Sequence, residues 1–206
     1  MKLRKFLQLY KESDLYLVDD LKPAMLKEMN LLPILKEGGV VDHLGEAVMW
    51  FSSGGTKSRL HNDNYEGLNC LFDGEKTFHL MDYNTTASVV QRYDNGWRVD
   101  RSNSIIDVTD VDLKKFPGFA TTPHFECRVQ AGDCIYVPSE MFHQVNSPPG
   151  MRNLAINVWW GRTKQFREGA VAASLNFADH KFRGAEDDED DDEGPGPKAS
   201  PYHDEL

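Results

Sequence analysis

Two imidazoles and one carboxylate stand in two segments of this chain that are about eighty residues apart. His61 and Asp63 belong to the first segment, and His143 ends the second. Two histidines and one carboxylate form the facial triad that holds Fe(II) and leaves coordination positions open. Side chains at positions i and i+2 of a strand face the same side, so we expect His61 and Asp63 on one strand face and His143 on a distant strand. Because a His-x-Asp tripeptide alone is common, the prediction depends on the residues that accompany it.

A lysine in the same region predicts a cosubstrate. Lys76 follows the turn Asp73-Gly74 and lies on the return strand of a hairpin. A lysine that points into a barrel is costly unless it is paired. A 2-oxoacid that chelates the metal at one end would bring its far carboxylate to this cation, and Ser58 could donate a hydrogen bond to the same group. Asn69 and Asn157 are candidates for the pocket wall, although a satisfied amide in the core explains either of them equally well.

Short segments of strand character, separated by turn residues, follow one another along most of the chain. This spacing is typical of a β-sandwich or a jelly roll of the cupin type, so we predict an all-β core with a few short flanking helices. The predicted strands cover residues 15–18, 47–52, 67–72, 76–81, 125–130, 134–137, 143–146 and 153–160. The predicted helices cover residues 23–30, part of 105–115, and 165–178 at the C-terminal end.

The net charge of −10 is concentrated in one segment. Residues 186–193 are eight consecutive acidic residues, and outside them 25 acidic residues face 23 basic ones. A nearly neutral body gives no electrostatic support for nucleic-acid binding. No stretch approaches the roughly 20 apolar residues of a membrane span. We assign residues 1–183 to one domain and 184–206 to a disordered acidic tail.

The chain ends in His203-Asp204-Glu205-Leu206, which is a retention signal of the endoplasmic reticulum. The sequence therefore predicts a lumenal address and a retention receptor as a partner. Residues 1–10 carry basic side chains, but their apolar part is short and interrupted, so we expect a signal sequence upstream of this chain. The three cysteines, Cys70, Cys127 and Cys134, show no CxxC spacing. We interpret them as small buried thiols, although one disulfide is possible.

Taken together, four segments resemble the JmjC, cupin-like oxygenases, and most closely the small stand-alone JmjC hydroxylases. The segments are residues 50–63, 65–76, 132–143 and 156–160. The resemblance implies a double-stranded β-helix that uses Fe(II), 2-oxoglutarate and O2 to hydroxylate a protein side chain. It assigns iron to His61, Asp63 and His143. It assigns the distal carboxylate of 2-oxoglutarate to Lys76 and Ser58, with Asn157 as a pocket residue.

The chain departs from the family at two positions of the pocket wall. Gly67 stands where many of the small hydroxylases have asparagine, and Asn69 stands where they often have an aromatic residue. These departures leave open a catalytically silent cupin fold that serves as a binding or scaffold protein of the endoplasmic reticulum. A demethylase acting on N-methyl carbons and a metal-dependent cupin enzyme without 2-oxoglutarate are further alternatives. The sequence also leaves open whether the protein forms a homodimer.

Overall fold

The computed structural model describes residues 3–86, 92–94, 99–163 and 166–183. Two antiparallel sheets pack face to face, which confirms the all-β cupin fold. The strands are β1 (Tyr16–Asp20), β2 (Leu44–Ser52), β3 (Lys57–His61), β4 (Glu66–Asp73), β5 (Glu75–Met81), β6 (Arg92–Asp94), β7 (Val99–Ser104), β8 (Phe125–Gln130), β9 (Cys134–Val137), β10 (Phe142–Asn146) and β11 (Asn153–Trp160). The α-helices are α1 (Leu3–Leu9), α2 (Pro23–Leu26), α3 (Pro33–Lys36) and α4 (Tyr83–Thr86).

The chain order of the strands differs from their order in space. One sheet has the order β1-β2-β11-β4-β9, and the other has the order β6-β7-β3-β10-β5-β8. Every predicted strand is present, and β8, β9 and β11 have the predicted bounds. The predicted helix at 23–30 is present as the shorter α2, and the strand expected to carry His61 is β3, whereas α1, α3, α4, β6 and β7 were not predicted as elements. The predicted hairpin at Asp73-Gly74 is wrong, because β4 and β5 belong to different sheets.

Alternating side chains divide each sheet into an interior and an outer face. Apolar side chains of both sheets meet in the interior, namely Leu71, Phe78, Val129, Val137 and Ala155. The outer face of the five-stranded sheet packs against α2, α3 and the C-terminal segment, with Phe177 buried among its side chains. The outer face of the six-stranded sheet is covered by residues 106–119. The interior is thus a space where described residues of both sheets can contribute to one site.

The predicted helix over residues 165–178 is wrong for its described part. This segment is extended, with a 3-10 turn at Phe177–Asp179, and it forms bridges from Glu37 to Val171 and from Asn30 to Asn176. Several of its backbone groups bond to the α2–α3 region, as the bonds from Leu31 N–H to Leu175 O and from Ala172 N–H to Lys36 O show. Tertiary pairing therefore overrides local helix propensity here.

The predicted helix within residues 105–115 is also wrong. Two aspartates each accept a hydrogen bond from the backbone N–H group two residues later in the chain. Thr109 donates to Asp107, and Lys114 donates to Asp112. Such local side-chain bonds compete with helix formation and favour turns.

The preferred interpretation of the cysteines is wrong for two of them. Cys70 of β4 and Cys134 of β9 are cross-strand partners and form a disulfide, whereas Cys127 is a free thiol. Sixty-four residues separate the two half-cystines along the chain, and only the strand register brings them together.

The helices among the described residues are too short and too polar to cross a bilayer. The acidic tail and the terminal HDEL lie outside the described residues, so the domain boundary and the disordered tail stay predictions.

Candidate metal centre and interior pocket

The register of β3 and β10 places two histidines side by side. His61 and His143 are cross-strand partners, and the centroids of their rings are 4.1 Å apart. Asp63 lies two residues beyond the end of β3, not on the strand as predicted, yet its Oδ2 is 3.7 Å from His143 Nε2. Potential ligand atoms of the three side chains all lie within 4.8 Å of one another. In the described part of the chain this is the one group of three or more such residues with that spacing.

Backbone carbonyl groups fix which nitrogen of each ring can bind a metal. His61 Nδ1 lies 2.6 Å from the carbonyl oxygen of Arg59, and His143 Nδ1 lies 2.9 Å from that of Met141. A carbonyl oxygen can only accept, so each Nδ1 carries a proton and donates it. In the neutral rings Nε2 is then the unprotonated nitrogen, and an Nδ1–H bond to a carbonyl is the usual orienting contact of a metal-binding histidine.

His143 is held in the neutral form that metal binding requires. Burial, together with the neighbouring His61, lowers the pKa of its ring to about 4, against the opposing influence of Asp63. Because only the unprotonated ring can bind a cation, this environment favours a metal over a proton at neutral pH.

Two loops next to the triad, residues 62–65 and 138–141, form what we call the rim. Residues 138–141 form a type II turn, closed by the bond from Met141 N–H to Pro138 O, with Glu140 at φ +66°. The N–H of Glu140 donates to the carbonyl oxygen of Asp63 at 2.6 Å and so joins the two loops. A left-handed conformation costs a non-glycine residue about 1 kcal/mol or more. The exposed ion pair of Glu140 with Arg162 contributes only about 0–1 kcal/mol to the stability of the fold.

Lys76 lies on the same interior face as His143. Leu80 is the cross-strand partner of His143, and alternate residues of β5 bring Lys76 to that face. The lysine is only 2% exposed. Its Nζ donates to Tyr16 Oη at 3.3 Å and to Ser147 Oγ at 3.4 Å, and no carboxylate of the described residues pairs with it. Burial lowers the pKa of this amine to about 8.

A β-bulge brings Ser58 to the interior. His61 pairs with His143 and Ser58 with Val145, so three steps along β3 match two along β10. Residues three apart on a regular strand would face opposite sides, and the extra residue reverses this. Ser58 is buried, as a residue of the pocket should be.

The two asparagines of the pocket prediction face each other across β4 and β11. Asn69 and Asn157 are cross-strand partners, and Ala155, two residues from Asn157, places this face in the interior. The side-chain oxygen of Asn69 is buried without a hydrogen bond among the described residues. This orphaned acceptor fits a pocket that binds a polar ligand better than a satisfied core amide.

The departure at Gly67 has a steric explanation. Gly67 pairs with Trp159, and a Cβ at this glycine would lie 3.3 Å from Cδ1 and Nε1 of the indole. The Trp159 ring therefore occupies the space that a larger residue at position 67 would need.

Sequence reasoning missed Tyr16 and Ser147, which surround the Lys76 amine. Tyr16 lies in the predicted strand 15–18, and the centroid of its ring is 5.2 Å from Lys76 Nζ. Nothing in the local sequence indicated that β1 meets β5 across the interior, because that contact depends on the packing of the two sheets.

With the geometry described, comparison with known proteins identifies the family. Residues 3–166 match the model of the cupin-like domain. The chain belongs to the cupin-like domain family. The resemblance to JmjC proteins is also confirmed by curated relatives of this cupin-like protein.

Three relatives illustrate the degree of similarity and the functions named for similar proteins. Lysine-specific demethylase 8 of Danio rerio is 29% identical over 111 residues, which are 54% of this chain and 26% of that protein. The bifunctional peptidase and (3S)-lysyl hydroxylase JMJD7 of Homo sapiens is 25% identical over 128 residues. The match covers 54% of this chain and 40% of that protein. JmjC domain-containing protein F of Dictyostelium discoideum is 26% identical over 160 residues. The match covers 70% of this chain and 32% of that protein. The chain thus spans less than half the length of these relatives.

The residues present fit the groups that the family implies. Two imidazole nitrogens and a carboxylate oxygen on one side of a centre suit Fe(II) with positions left open. The buried amine of Lys76 fits the far carboxylate of a 2-oxoacid, since an unpaired buried charge is otherwise unfavourable.

Proposed function

We propose that this cupin-like protein is an Fe(II)- and 2-oxoglutarate-dependent oxygenase that hydroxylates a protein side chain. The observation that carries the proposal is the buried Lys76 on the same interior face as His143. A buried ammonium whose described partners are two hydroxyl groups needs an anion, and the triad needs a metal. A 2-oxoacid with a second carboxylate satisfies both requirements at once.

Each group of the site has a distinct role in this proposal. His61 and His143 bind the metal through Nε2, and Asp63 adds the negative charge that reduces the charge of Fe(II). Lys76 binds the distal carboxylate, with Ser58, Tyr16 and Ser147 as hydroxyl donors around it. The apolar interior excludes water and strengthens these electrostatic contacts. The bound metal, with 2-oxoglutarate and O2, supplies the oxidising chemistry, and the protein supplies position and charge.

Turnover of 2-oxoglutarate tests the proposal. Purified protein with Fe(II), ascorbate and 2-oxoglutarate should release succinate, and His61→Ala should abolish the release. Because turnover without substrate is slow, calorimetric binding of 2-oxoglutarate in the presence of Mn²⁺ should be measured beside it. Absence of metal-dependent binding would leave the silent binding protein as the better reading. Formaldehyde release with a methylated peptide would favour the demethylase instead.

We also propose that the protein resides in the lumen of the endoplasmic reticulum. The terminal HDEL motivates this, and the Cys70–Cys134 disulfide supports it because disulfides persist in oxidising compartments. Expressed behind a cleavable secretory signal, the chain should stay in the cell, and deletion of Leu206 should release it into the medium. Equal retention of both forms would contradict the proposal.

A further inference from the structure

The sequence contains one acceptor sequence for an N-linked glycan, Asn84-Thr85-Thr86. No other asparagine of the chain has serine or threonine two residues later. The three residues form the end of the single-turn helix α4, which follows β5 after one intervening residue. Because so short a pattern also arises by chance, its meaning depends on where the fold places the two side chains that the pattern requires.

The fold leaves the acceptor side chain in solvent. Asn84 is exposed, and the residue before it fixes the helix to the protein. The ring of Tyr83 stacks on that of Phe142, with 5.7 Å between the centroids. Phe142 belongs to the apolar cluster on the outer face of the six-stranded sheet. A glycan is bulky and requires a surface position, and Asn84 provides one outside the interior pocket.

The hydroxyl group of Thr86 has no structural explanation among the described contacts. The residue is 0% exposed, and its Oγ1 is buried without a hydrogen-bond partner in the described part of the chain. A buried hydroxyl without a partner destabilises a fold, and valine has nearly the same shape without this cost. The acceptor sequence, by contrast, requires a hydroxyl group two residues after the asparagine. Glycan transfer therefore explains both the exposed amide and the buried hydroxyl.

The burial of Thr86 also determines when the transfer can occur. A transferase must reach the hydroxyl group of Thr86 as well as the amide of Asn84, and the folded protein offers only the amide. The segment must therefore be modified while it is unfolded, as the chain enters the secretory pathway. Folding then buries Thr86 and keeps the modified side chain outside.

We propose that Asn84 carries an N-linked oligosaccharide. In the transfer, Asn84 Nδ2 forms a bond to the anomeric carbon of an oligosaccharide held on a lipid pyrophosphate. The bond between that carbon and the pyrophosphate oxygen breaks, its electron pair leaves with the lipid pyrophosphate, and the amide releases one proton. The inference goes beyond the oxygenase activity and rests only on the proposed lumenal residence, since the acceptor sequence is used in secreted proteins.

Expression of the full chain behind a cleavable secretory signal tests the inference. Removal of the signal, read by N-terminal sequencing, shows that the chain has entered the lumen. The wild type should migrate as a larger form, which peptide N-glycosidase returns to the unmodified size while converting the Asn84 amide to a carboxylic acid. Mass spectrometry of the peptide locates that conversion.

Four variants define the acceptor. Asn84→Gln and Thr86→Val should each lose the larger form completely, whereas Thr86→Ser keeps the hydroxyl group and should retain it. Asn30→Gln is the matched control, because this exposed asparagine lies outside an acceptor sequence, and it should be modified as the wild type is. Asn84→Gln should also bind 2-oxoglutarate as the wild type does, since the glycan stands outside the interior.

The outcomes separate this inference from the other proposals. A wild-type chain whose signal is removed but which stays unmodified would show that this inference alone is wrong. A larger form that persists in Asn84→Gln or Thr86→Val would overturn it as well. If the signal is not removed and the chain stays out of the lumen, the proposed residence is wrong and this inference fails with it. Binding of 2-oxoglutarate tests the oxygenase independently of all these results.

Discussion

At the scale of single residues, the candidate site contains groups that lower the folding stability of the protein when no ligand is bound. Lys76 carries a charge in the interior with only hydroxyl partners described for it, and Glu140 holds a left-handed conformation. Positions where a local rule is broken are those where function is expected. By contrast, His61 and His143 are each oriented by one carbonyl, so both rings of the candidate triad have a fixed orientation without a metal.

Replacing Lys76 by methionine should stabilise the metal-free protein while abolishing its binding of 2-oxoglutarate. Burial lowers the pKa of this amine from 10.5 to about 8, which corresponds to a cost of the order of 3 kcal/mol for the charged form. Since the folded pKa is the lower one, the cost is complete below pH 8 and disappears as the pH rises towards 10.5. Urea unfolding at pH 7 should show a gain of about 1–3 kcal/mol for Lys76→Met, and the gain should shrink at pH 10.

Calorimetry of the same variant gives the second readout. Its affinity for 2-oxoglutarate should fall about a hundredfold, because the distal carboxylate loses its cation. Unchanged affinity would remove the observation on which the proposed function depends.

At the scale of elements, the strand registers determine what reaches the interior. The bulge in β3 brings Ser58 to the face of His143, and the pairing of β4 with β11 sets Asn69 opposite Asn157. The disulfide joins β9, an edge strand, to β4. Since β9 leads directly into the rim turn before His143, this link restrains the segment next to the candidate metal centre.

Removing the disulfide should destabilise the fold. In the double variant Cys70→Ser and Cys134→Ser, the free energy of unfolding should fall by about 2–4 kcal/mol, because a cross-link over 64 residues restricts the unfolded chain. Cys127→Ser is the matched control, since this thiol is free, and it should change stability much less. Equal effects of the two changes would show that packing of the sulfur atoms, and not the cross-link, is responsible.

At the scale of the whole molecule, polar networks also order the outer face of the six-stranded sheet. Val108 N–H donates to Gln144 Oε1, Gln144 Nε2 donates to Asn146 Oδ1, and Asn146 Nδ2 faces His79 Nε2 at 3.4 Å. The direction of these bonds makes His79 Nε2 an acceptor, so a proton there would meet an N–H group. Burial lowers the pKa of His79, with His124 acting in the same direction and Glu126 against it. The network thus disfavours the protonated form of His79.

This arrangement predicts how stability depends on pH. Because the folded pKa of His79 lies below the ordinary 6.5, the unfolded chain binds more protons as the pH falls through that region. The free energy of unfolding of the metal-free protein should therefore decrease below about pH 6.5, and His79→Gln should reduce the slope. Thermal unfolding from pH 5 to 8 measures it, with His43→Gln as the control outside this network. Identical slopes for wild type and His79→Gln would refute the assignment.

The sequence by itself determined the candidate ligand set and most of the strands. Residue types set the candidate ligand set and the lysine, and the turn residues Asp73-Gly74 mark the boundary between two strands. The pairing predicted for these two strands is wrong, because they belong to different sheets. Tertiary structure decided the Cys70–Cys134 bond, the bulge before His61, the contact of Tyr16 with Lys76 and the extended C-terminal segment. Each of these depends on strand register or sheet packing between residues far apart in the chain. Such contacts are chosen by burial over the whole fold, and no local pattern carries them.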